Sequence, residues 1–510
     1  MVGRVAKADA ALVDRAISVA GGAFAAGDFP QHERAAVLER AAQLVADRED
    51  ELTIAIAAEA GKPVKTARVE ARRCVGTLSY SAIEARTLAG EAVPMDASAG
   101  GVGKLGVMLR VPYGVVGAIS PFNFPLNLVA HKLGPAIAAG NAVVLKPAGQ
   151  TPISAIKLAE ALVDAGLPDG WLNVVCGSGS EIGGVLTEDD RVGAISFTGS
   201  AEVGWDIRAR AARKKVNLEL GSTAPLVVHE DGDWETAADK AKLHAYSHAG
   251  QSCISIQRVL VHEAIASPFL NRFVSNVEAL EVGDPMDPET DVGPLISHHD
   301  RDRVKEWIDE AAASGGEVLT GGELTDEDRC LEPTVIREPS REARVWCDEI
   351  FGPVATVHSF GSFDEAIELA NDARFGLQAG VFTSDVELAL EAGRRLEFGG
   401  VLINEVPTFR ADQMPYGGVK ESGNTREGPA YAVRELVTVA PITTRVRRIP
   451  TEVPLGPAGG LPKACVVNLD TLTTIPRRAL TEPIGPLSPE RLAAVERALL
   501  FALGFANRPA

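Results

Sequence analysis

Apolar and polar positions follow two rhythms along this chain. Up to about residue 98 the apolar positions recur at helical spacing, and the run over 35–60 keeps them on one stripe until Gly61-Lys62-Pro63 stops it. From 100 to 119 the stretch GGVGKLGVMLRVPYGVVGAI changes to short Val- and Gly-rich strands. VVGAIS then precedes a predicted helix over about 126–139, and NAVVLKP precedes one over about 154–165. LNVVCG and AISFTG each lead into a further helical run, and a second alternating region covers 224–406. Short, wholly apolar strands alternating with helices predict parallel sheets covered on both faces. The expected fold class is α/β, in two lobes.

Composition narrows the class. With 510 residues and 46% hydrophobic positions, the chain has material for two or three packed domains, which excludes a disordered chain, a collagen repeat and a disulfide-stapled miniprotein. The net charge of −19 disfavours non-specific binding to nucleic acid or to an anionic membrane. Cys74, Cys176, Cys253, Cys330, Cys347 and Cys465 are scattered, with no CxxC and no Cys/His metal spacing. They read as reduced thiols of a cytoplasmic protein, and no metal site is expected. The amphipathic start is interrupted by Asp9, Asp14 and Arg15, so neither a signal peptide nor a membrane span is expected. Residues 441–510 differ from the rest: they hold 10 of the 31 prolines, and 9 basic against 5 acidic residues give +4. A separate C-terminal module is expected there.

Candidate chemistry centres on GQSCISIQR, with Cys253 in a small-residue context after a predicted helix. LELGS places Glu219 34 positions upstream of that cysteine, and PFNFP places Asn123 in the loop after a strand. A thiolate nucleophile needs an oxyanion donor, and an acyl-thioester needs a base to activate water. Cys, Asn and Glu meet those three needs. Taken singly, the cysteine is a core residue, the asparagine a turn or cap residue and the glutamate a solvated charge.

PFNFP, LKPA at 145–148, SFTGS at 196–200, LELGS, GQSC, DEIFGPV at 348–354 and PYGGVKESG at 415–423 stand in the order found in the aldehyde dehydrogenase superfamily. The chain resembles that family over about 10–438. The resemblance implies a Rossmann-like NAD(P)-binding domain over 1–220, with oligomerisation strands inserted at 100–117. It implies a catalytic domain over 221–407, and a return to the cofactor domain with an oligomerisation strand over 408–440. Cys253 would be the nucleophile that forms a thiohemiacetal and then a thioester. The Asn123 amide and the Cys253 N–H would hold the oxyanion, and Glu219 would activate the hydrolytic water. Glu219 also speaks against the branch that transfers the acyl group to coenzyme A. NAD or NADP would lie along Ile119, Ser120, Pro121 and Phe122. Lys146 and Gly149 would stand at the adenosine ribose. Gly199, Ser200 and Val203 would stand at a phosphate-facing helix start. Glu349 would take the nicotinamide ribose, with Phe351 beside it. A homodimer or homotetramer follows by the same analogy.

Three positions depart from the family pattern. Gly149 stands where NAD-preferring relatives carry Glu, which removes the repulsion against a 2′-phosphate and leaves NAD against NADP open. Ser222 replaces a usual Gly and is expected to be silent. Ser252 stands where phosphate-handling relatives place an arginine before the nucleophile. Arg110 and Arg410 are the remaining candidates to meet an anionic group, each with a structural or interface role as the alternative. The stretches around PFNFP, GQSC and PTFRAD resemble the lactaldehyde, phosphonoacetaldehyde and non-phosphorylating glyceraldehyde-3-phosphate dehydrogenase branch, and a small hydroxy- or semialdehyde is the expected substrate.

Residues 441–510 resemble the C-terminal half of MazF/PemK-like endoribonuclease toxins. VVNLDTLTTIP reads as a strand into a turn, and a helix is expected from Ser488, its N-cap, with Glu490 near its start. The half that supplies a catalytic arginine is missing, and only Thr443 and Thr444 match a toxin active-site position. No ribonuclease activity is expected, and VTVAPITTRVRR is expected to pair with 100–116 as the oligomerisation strand. The alternatives to an aldehyde oxidase are a toxin-derived RNA-binding or ribonuclease tail, or a catalytically inactive relative.

Overall fold

The computed structural model describes residues 2–27, 29–325, 329–443, 452–455, 465–468 and 495. Four helices open the chain: Ala10–Ala26, Gln31–Asp47, Glu49–Ala60 and Val64–Thr87. The single stripe expected over 35–60 is divided at Arg48, which leaves helical geometry (φ −103°, ψ 20°) and ion-pairs with Asp164 at 2.5 Å. The helical region ends at Thr87 rather than 98. Beyond it the chain closes on its neighbour, with Gly90 so near the Met108 carbonyl that a Cβ would lie 2.3 Å away, and Glu91–Val93 becomes a strand.

Strands and helices then alternate as the pattern predicts. Five parallel strands form one sheet, in the order Leu172–Val174, Ala142–Lys146, Val115–Ile119, Val192–Thr198, Lys215–Glu219. The chain leaves Val115–Ile119 toward one side first and later returns to the other. The carboxyl end of that strand is therefore the switch point where an open α/β sheet has its crevice. Seven strands form a second sheet, in the order Glu317–Thr320, Thr334–Arg337, Val354–Phe360, Arg258–His262, Pro225–Val228, Gln378–Phe382, Gly400–Ile403. All its pairs are parallel except at the Glu317–Thr320 edge. Each sheet has its own apolar core, and most strand positions are buried on both faces.

The helix Asn127–Ala139 is buried along its whole length against Val64–Thr87. Gly134 permits the close approach, since a Cβ there would stand 2.5 Å from the Ser81 hydroxyl. This helix therefore carries His131 and Lys132 into the interior.

An antiparallel sheet joins Glu91–Val93, Gly106–Pro112 and Val437–Thr443. The last two pair within the chain from Val437 opposite Pro112 to Ile442 opposite Val107. Cys465–Asn468 adds to Ile442 and Thr443, and Glu452–Leu455 adds to Cys465–Asn468. Thr444 and the helix expected from Ser488 lie outside the described residues, apart from the buried Val495. Among the described residues no helix is long and apolar enough to cross a membrane.

Candidate active site

The nucleophile loop is built by a run of left-handed backbone. After the helix Trp234–Tyr246, His248, Ala249 and Gly250 have φ of 53°, 53° and 68°. Gly250 suits this turn: a Cβ would lie 2.0 Å from the Gly352 carbonyl. Gln251 then locks the loop, with its amide nitrogen donating to the His248 carbonyl at 3.1 Å and its side-chain oxygen accepting from Ile296 N–H at 2.9 Å. Two residues on, the Cys253 Sγ lies 3.1 Å from the Tyr416 hydroxyl.

Asn123 and Glu219 arrive from the first sheet. Asn123 follows the strand Val115–Ile119, and its Nδ2 donates to the Gln251 carbonyl at 2.9 Å. One N–H of that amide and the Cys253 backbone N–H remain without an acceptor among the described residues. Glu219 ends the strand Lys215–Glu219, and its Oε1 is buried without a partner. Glu219 is not the solvated charge that a single-position reading gives, being 2% exposed, and Asn123 is likewise buried at 3%. The structure therefore gathers Cys253, Asn123 and Glu219 at one place.

Burial dominates the electrostatics. It pushes the Cys253 thiol up to about 12; the Tyr416 hydrogen bond opposes this, and the charges of Glu219 and Glu349 add to it. Cys253 is thus held as a thiol. Burial, then the charge of Glu427, holds the Glu219 carboxyl well above its ordinary range. Burial likewise lowers Lys132, whose Nζ donates to Thr198 Oγ1 at 2.6 Å and Ser196 Oγ at 3.2 Å and lies 3.5 Å from Glu427 Oε1.

The dinucleotide residues lie at the switch point. Ile119 and Ser120 end the first sheet's central strand, and the Ser120 hydroxyl is buried with no partner. Pro121 and Phe122 follow, and the Phe122 ring meets the Phe351 ring edge-on at 5.8 Å. Lys146 ends the adjacent strand; its Nζ reaches only the Pro147 carbonyl at 3.4 Å, and burial lowers its pKa. Around Gly149 a Cβ would meet nothing within 4 Å. Gly199 leads into the helix Ala201–Arg210, where the Ser200 hydroxyl accepts from Val203 N–H at 3.5 Å and Val203 itself is exposed. Glu349 accepts from Ser222 N–H at 2.9 Å, and burial pushes its carboxyl up to about 7. Ser222, Ser252, Ser255 and Glu349 line a small cavity behind the nucleophile loop. An orphaned hydroxyl at Ser120, a nearly unpartnered ammonium at Lys146 and open space at Gly149 suit a polar, phosphate-bearing dinucleotide.

Of the two arginines offered by the sequence for an anionic group, Arg410 lies in a cationic cluster on the far side of Tyr416, whose other members, Arg73 and His131, sequence reasoning missed. Arg410 lies over the Tyr416 ring at 4.0 Å, and its Nη2 donates to His131 Nδ1 at 3.3 Å. It stands 3.8 Å from Glu427, and its Nε is buried without a partner. The Arg73 guanidinium, on the helix Val64–Thr87, makes no hydrogen bond or close ion pair among the described residues, though the charges of Asp412 and Glu70 act in its favour. Its pKa is lowered by burial and then by the charge of Arg410. Burial and the charges of Arg410, Arg73 and Lys132 keep His131 neutral. The available signal was Arg73 on a helix with many buried positions, together with His131-Lys132 inside an otherwise apolar helix. Arg110 is not part of this cluster: on the antiparallel sheet it binds Glu91 at 2.6 Å and the Ala89 carbonyl at 3.0 Å.

The profile of the aldehyde dehydrogenase family matches residues 1–442, and that of the PemK-like, MazF-like toxin of type II toxin–antitoxin systems matches 426–503. A 3-sulfolactaldehyde dehydrogenase of Priestia aryabhattai is 45% identical over 408 residues, covering 80% of this chain and 85% of that protein. The crystal structure of glyceraldehyde-3-phosphate dehydrogenase GapN from Methanocaldococcus jannaschii, complexed with NADP, superposes with a TM-score of 0.82 at 36% identity, over 86% of this chain and 95% of that one. Aldehyde dehydrogenase 21 from Physcomitrella patens, solved with the reaction product succinate, gives a TM-score of 0.82 at 38% identity, over 87% and 92%. With the fold, the order of motifs and the clustered Cys, Asn and Glu all in agreement, the chain belongs to the aldehyde dehydrogenase family.

Proposed function

We propose that this enzyme oxidises a short aldehyde bearing a negative charge at its far end, through a thioester on Cys253. The observation that carries the substrate class is the Arg73–Arg410 pair. Two guanidiniums share a largely buried place, and although Asp412, Glu70 and Glu427 are near enough to act on them, the Arg73 guanidinium has no hydrogen-bond acceptor among the described residues. Two buried cations repel unless an anion joins them. A carboxylate, sulfonate or phosphate would supply that anion, in line with the sulfolactaldehyde and succinate named for the relatives. Arg410 reaches Tyr416, and Tyr416 reaches Cys253, so an anion there leaves only a short chain between it and the nucleophile.

The mechanism follows from the groups in place. The Cys253 sulfur attacks the carbonyl carbon, and its proton passes to the carbonyl oxygen as the thiohemiacetal forms. The oxygen of the resulting thiohemiacetal accepts from Asn123 Nδ2 and Cys253 N–H, donors of a kind worth about 3–4 kcal/mol at a developing oxyanion. NAD or NADP, held along Ser120, Lys146, Ser200 and Glu349, supplies hydride acceptance when bound. Glu219 then removes a proton from the water that opens the thioester, which releases the carboxylate and restores the thiol.

The test is reduction of NAD and NADP by the purified protein with paired charged and neutral aldehydes of equal length. A rate with the charged member well above that with the neutral one supports the substrate class. Equal rates reject the class and leave the oxidation standing. Cys253→Ala should abolish turnover of both, and retained turnover would reject the covalent route.

A further inference from the structure

The strands Pro225–Val228 and Arg258–His262 run side by side and in parallel in the seven-stranded sheet. A histidine stands at the carboxyl end of each: His229 follows the first, and His262 closes the second. His229, Glu230 and His262 each present one donor atom, and the three atoms lie within 4.8 Å of one another. Cys253 precedes Arg258, so the strand itself, roughly 13 Å long, separates this cluster from the nucleophile.

We propose that His229, Glu230 and His262 bind a divalent transition-metal cation, zinc in the first instance. The tautomer of His229 is suited to it. Its Nδ1 lies 2.6 Å from Asp231 Oδ1. The Asp231 carboxylate is fixed in turn by the Thr383 and Ser384 hydroxyls, each donating to it at 2.9 Å. A carboxylate only accepts, so the proton sits on Nδ1 and the Nε2 lone pair is left free. An imidazole oriented by a carboxylate on its other nitrogen is the usual arrangement of a metal-binding histidine. His262 Nδ1 accepts from Ala264 N–H at a long 3.3 Å and stands 3.9 Å from Glu230 Oε2.

The surroundings agree. Phe363 packs against the His229 ring at 5.9 Å, and Phe360 against His262 at 5.4 Å, which gives the cluster an apolar wall. The Glu230 side chain is 52% exposed and opens the other side to solvent. Two imidazoles and one carboxylate with a place left for water suit zinc, whereas magnesium and calcium prefer oxygen alone. Tetrahedral zinc needs donors about 3.4 Å apart. The exposed Glu230 can supply much of that contraction by changing rotamer. A bound ion would clip the ends of two central strands together. Through Asp231 it would also reach the turn at Thr383 and Ser384.

The experiment uses the full chain, stripped of metal and titrated with cobalt(II) and then zinc(II). Cobalt absorbance separates this site from the cysteines, since thiolate ligation adds a strong near-ultraviolet band that a His-Glu-His site lacks. One equivalent without that band is expected, together with a rise in melting temperature on loading. Glu230→Gln and His262→Gln should each weaken binding by about tenfold or more, the scale on which even orienting partners act. The exposed Glu230 can be changed without unfolding the chain, so loss of fold in the histidine variant leaves the test intact. The proposal is overturned by no saturable micromolar binding, by a thiolate band from the bound equivalent, or by Glu230→Gln binding as tightly as the parent.

Discussion

Replacing Arg73 by glutamine tests the substrate reading at its most exposed point. The guanidinium makes no hydrogen bond among the described residues, so its removal orphans no protein acceptor there. It does remove a charge that lowers His131. The variant should therefore melt no lower than the parent. A hydrogen bond to a charged group is worth about 1.5–3 kcal/mol net, which is roughly 10- to 150-fold in kcat/KM at 1.4 kcal/mol per factor of ten. A bare Coulomb figure gives an upper bound of about 4 kcal/mol at 4 Å with an effective dielectric of 20. The assay compares succinic semialdehyde with butanal, which keeps the aldehyde and the chain length and drops the carboxylate. For Arg73→Gln we expect the first to lose about 10- to 100-fold in kcat/KM and the second less than about twofold. Equal losses on both, or none on either, would refute the anion subsite. Arg410 is the poorer probe, because it also touches Tyr416, His131 and Glu427 and so disturbs the nucleophile with any substrate.

Three further outcomes are expected. Glu219→Gln should keep a burst of reduced dinucleotide and slow the steady rate by about 10²- to 10⁴-fold, and an unchanged steady rate would remove Glu219 as the base. Glu349 is raised by burial from 4.5 to about 7, so its protonated form favours the native state. That contribution is complete below pH 4.5 and is lost as pH rises through about 7, so the melting temperature should fall across this window more steeply in the parent than in Glu349→Gln. Superimposable melting profiles would contradict it. Gly149→Glu fits the open space beside Lys146 and sets a carboxylate against a 2′-phosphate; the ratio of NADP to NAD affinity should drop at least about tenfold, measured by titration of each dinucleotide.

The residues most legible in the sequence were those tied to regular elements by short motifs. Lys146 and Glu219 close strands, Asn123 follows one at a fixed distance, and Cys253 stands at the end of a helix–turn. Alternation of period located both parallel sheets, because their strands are buried on both faces and so read as short apolar runs. Arg410 was legible as an anion candidate, but the cationic cluster around it was not, because it is assembled from three places with no local signal in common. Arg73 sits on an early helix, His131 on another, and Arg410 in a loop some 280 positions later in the chain, 3.3 Å from His131. Periodicity gives the buried side of a helix but not which residues meet across it. The His229–Glu230–His262 cluster escaped for the same reason: its histidines are 33 positions apart and come together only because two parallel strands are neighbours.

The C-terminal extension is best understood from the strand that both family profiles share. They overlap over 426–442, a stretch that holds the helix Pro429–Glu435 and most of the strand Val437–Thr443. Ala432 and Val433 of that helix are buried, and the strand pairs with Gly106–Pro112 at six positions. Cys465–Asn468 attaches to the same strand at only two, Ile442 and Thr443. The described part of the toxin-like region thus leans on a strand already held by the dehydrogenase, and the reverse dependence is slight. Ending the chain after Thr443 should therefore leave aldehyde oxidation and the melting temperature close to those of the full chain. A collapse of either would mean that the appended strands had become part of the enzyme's own fold.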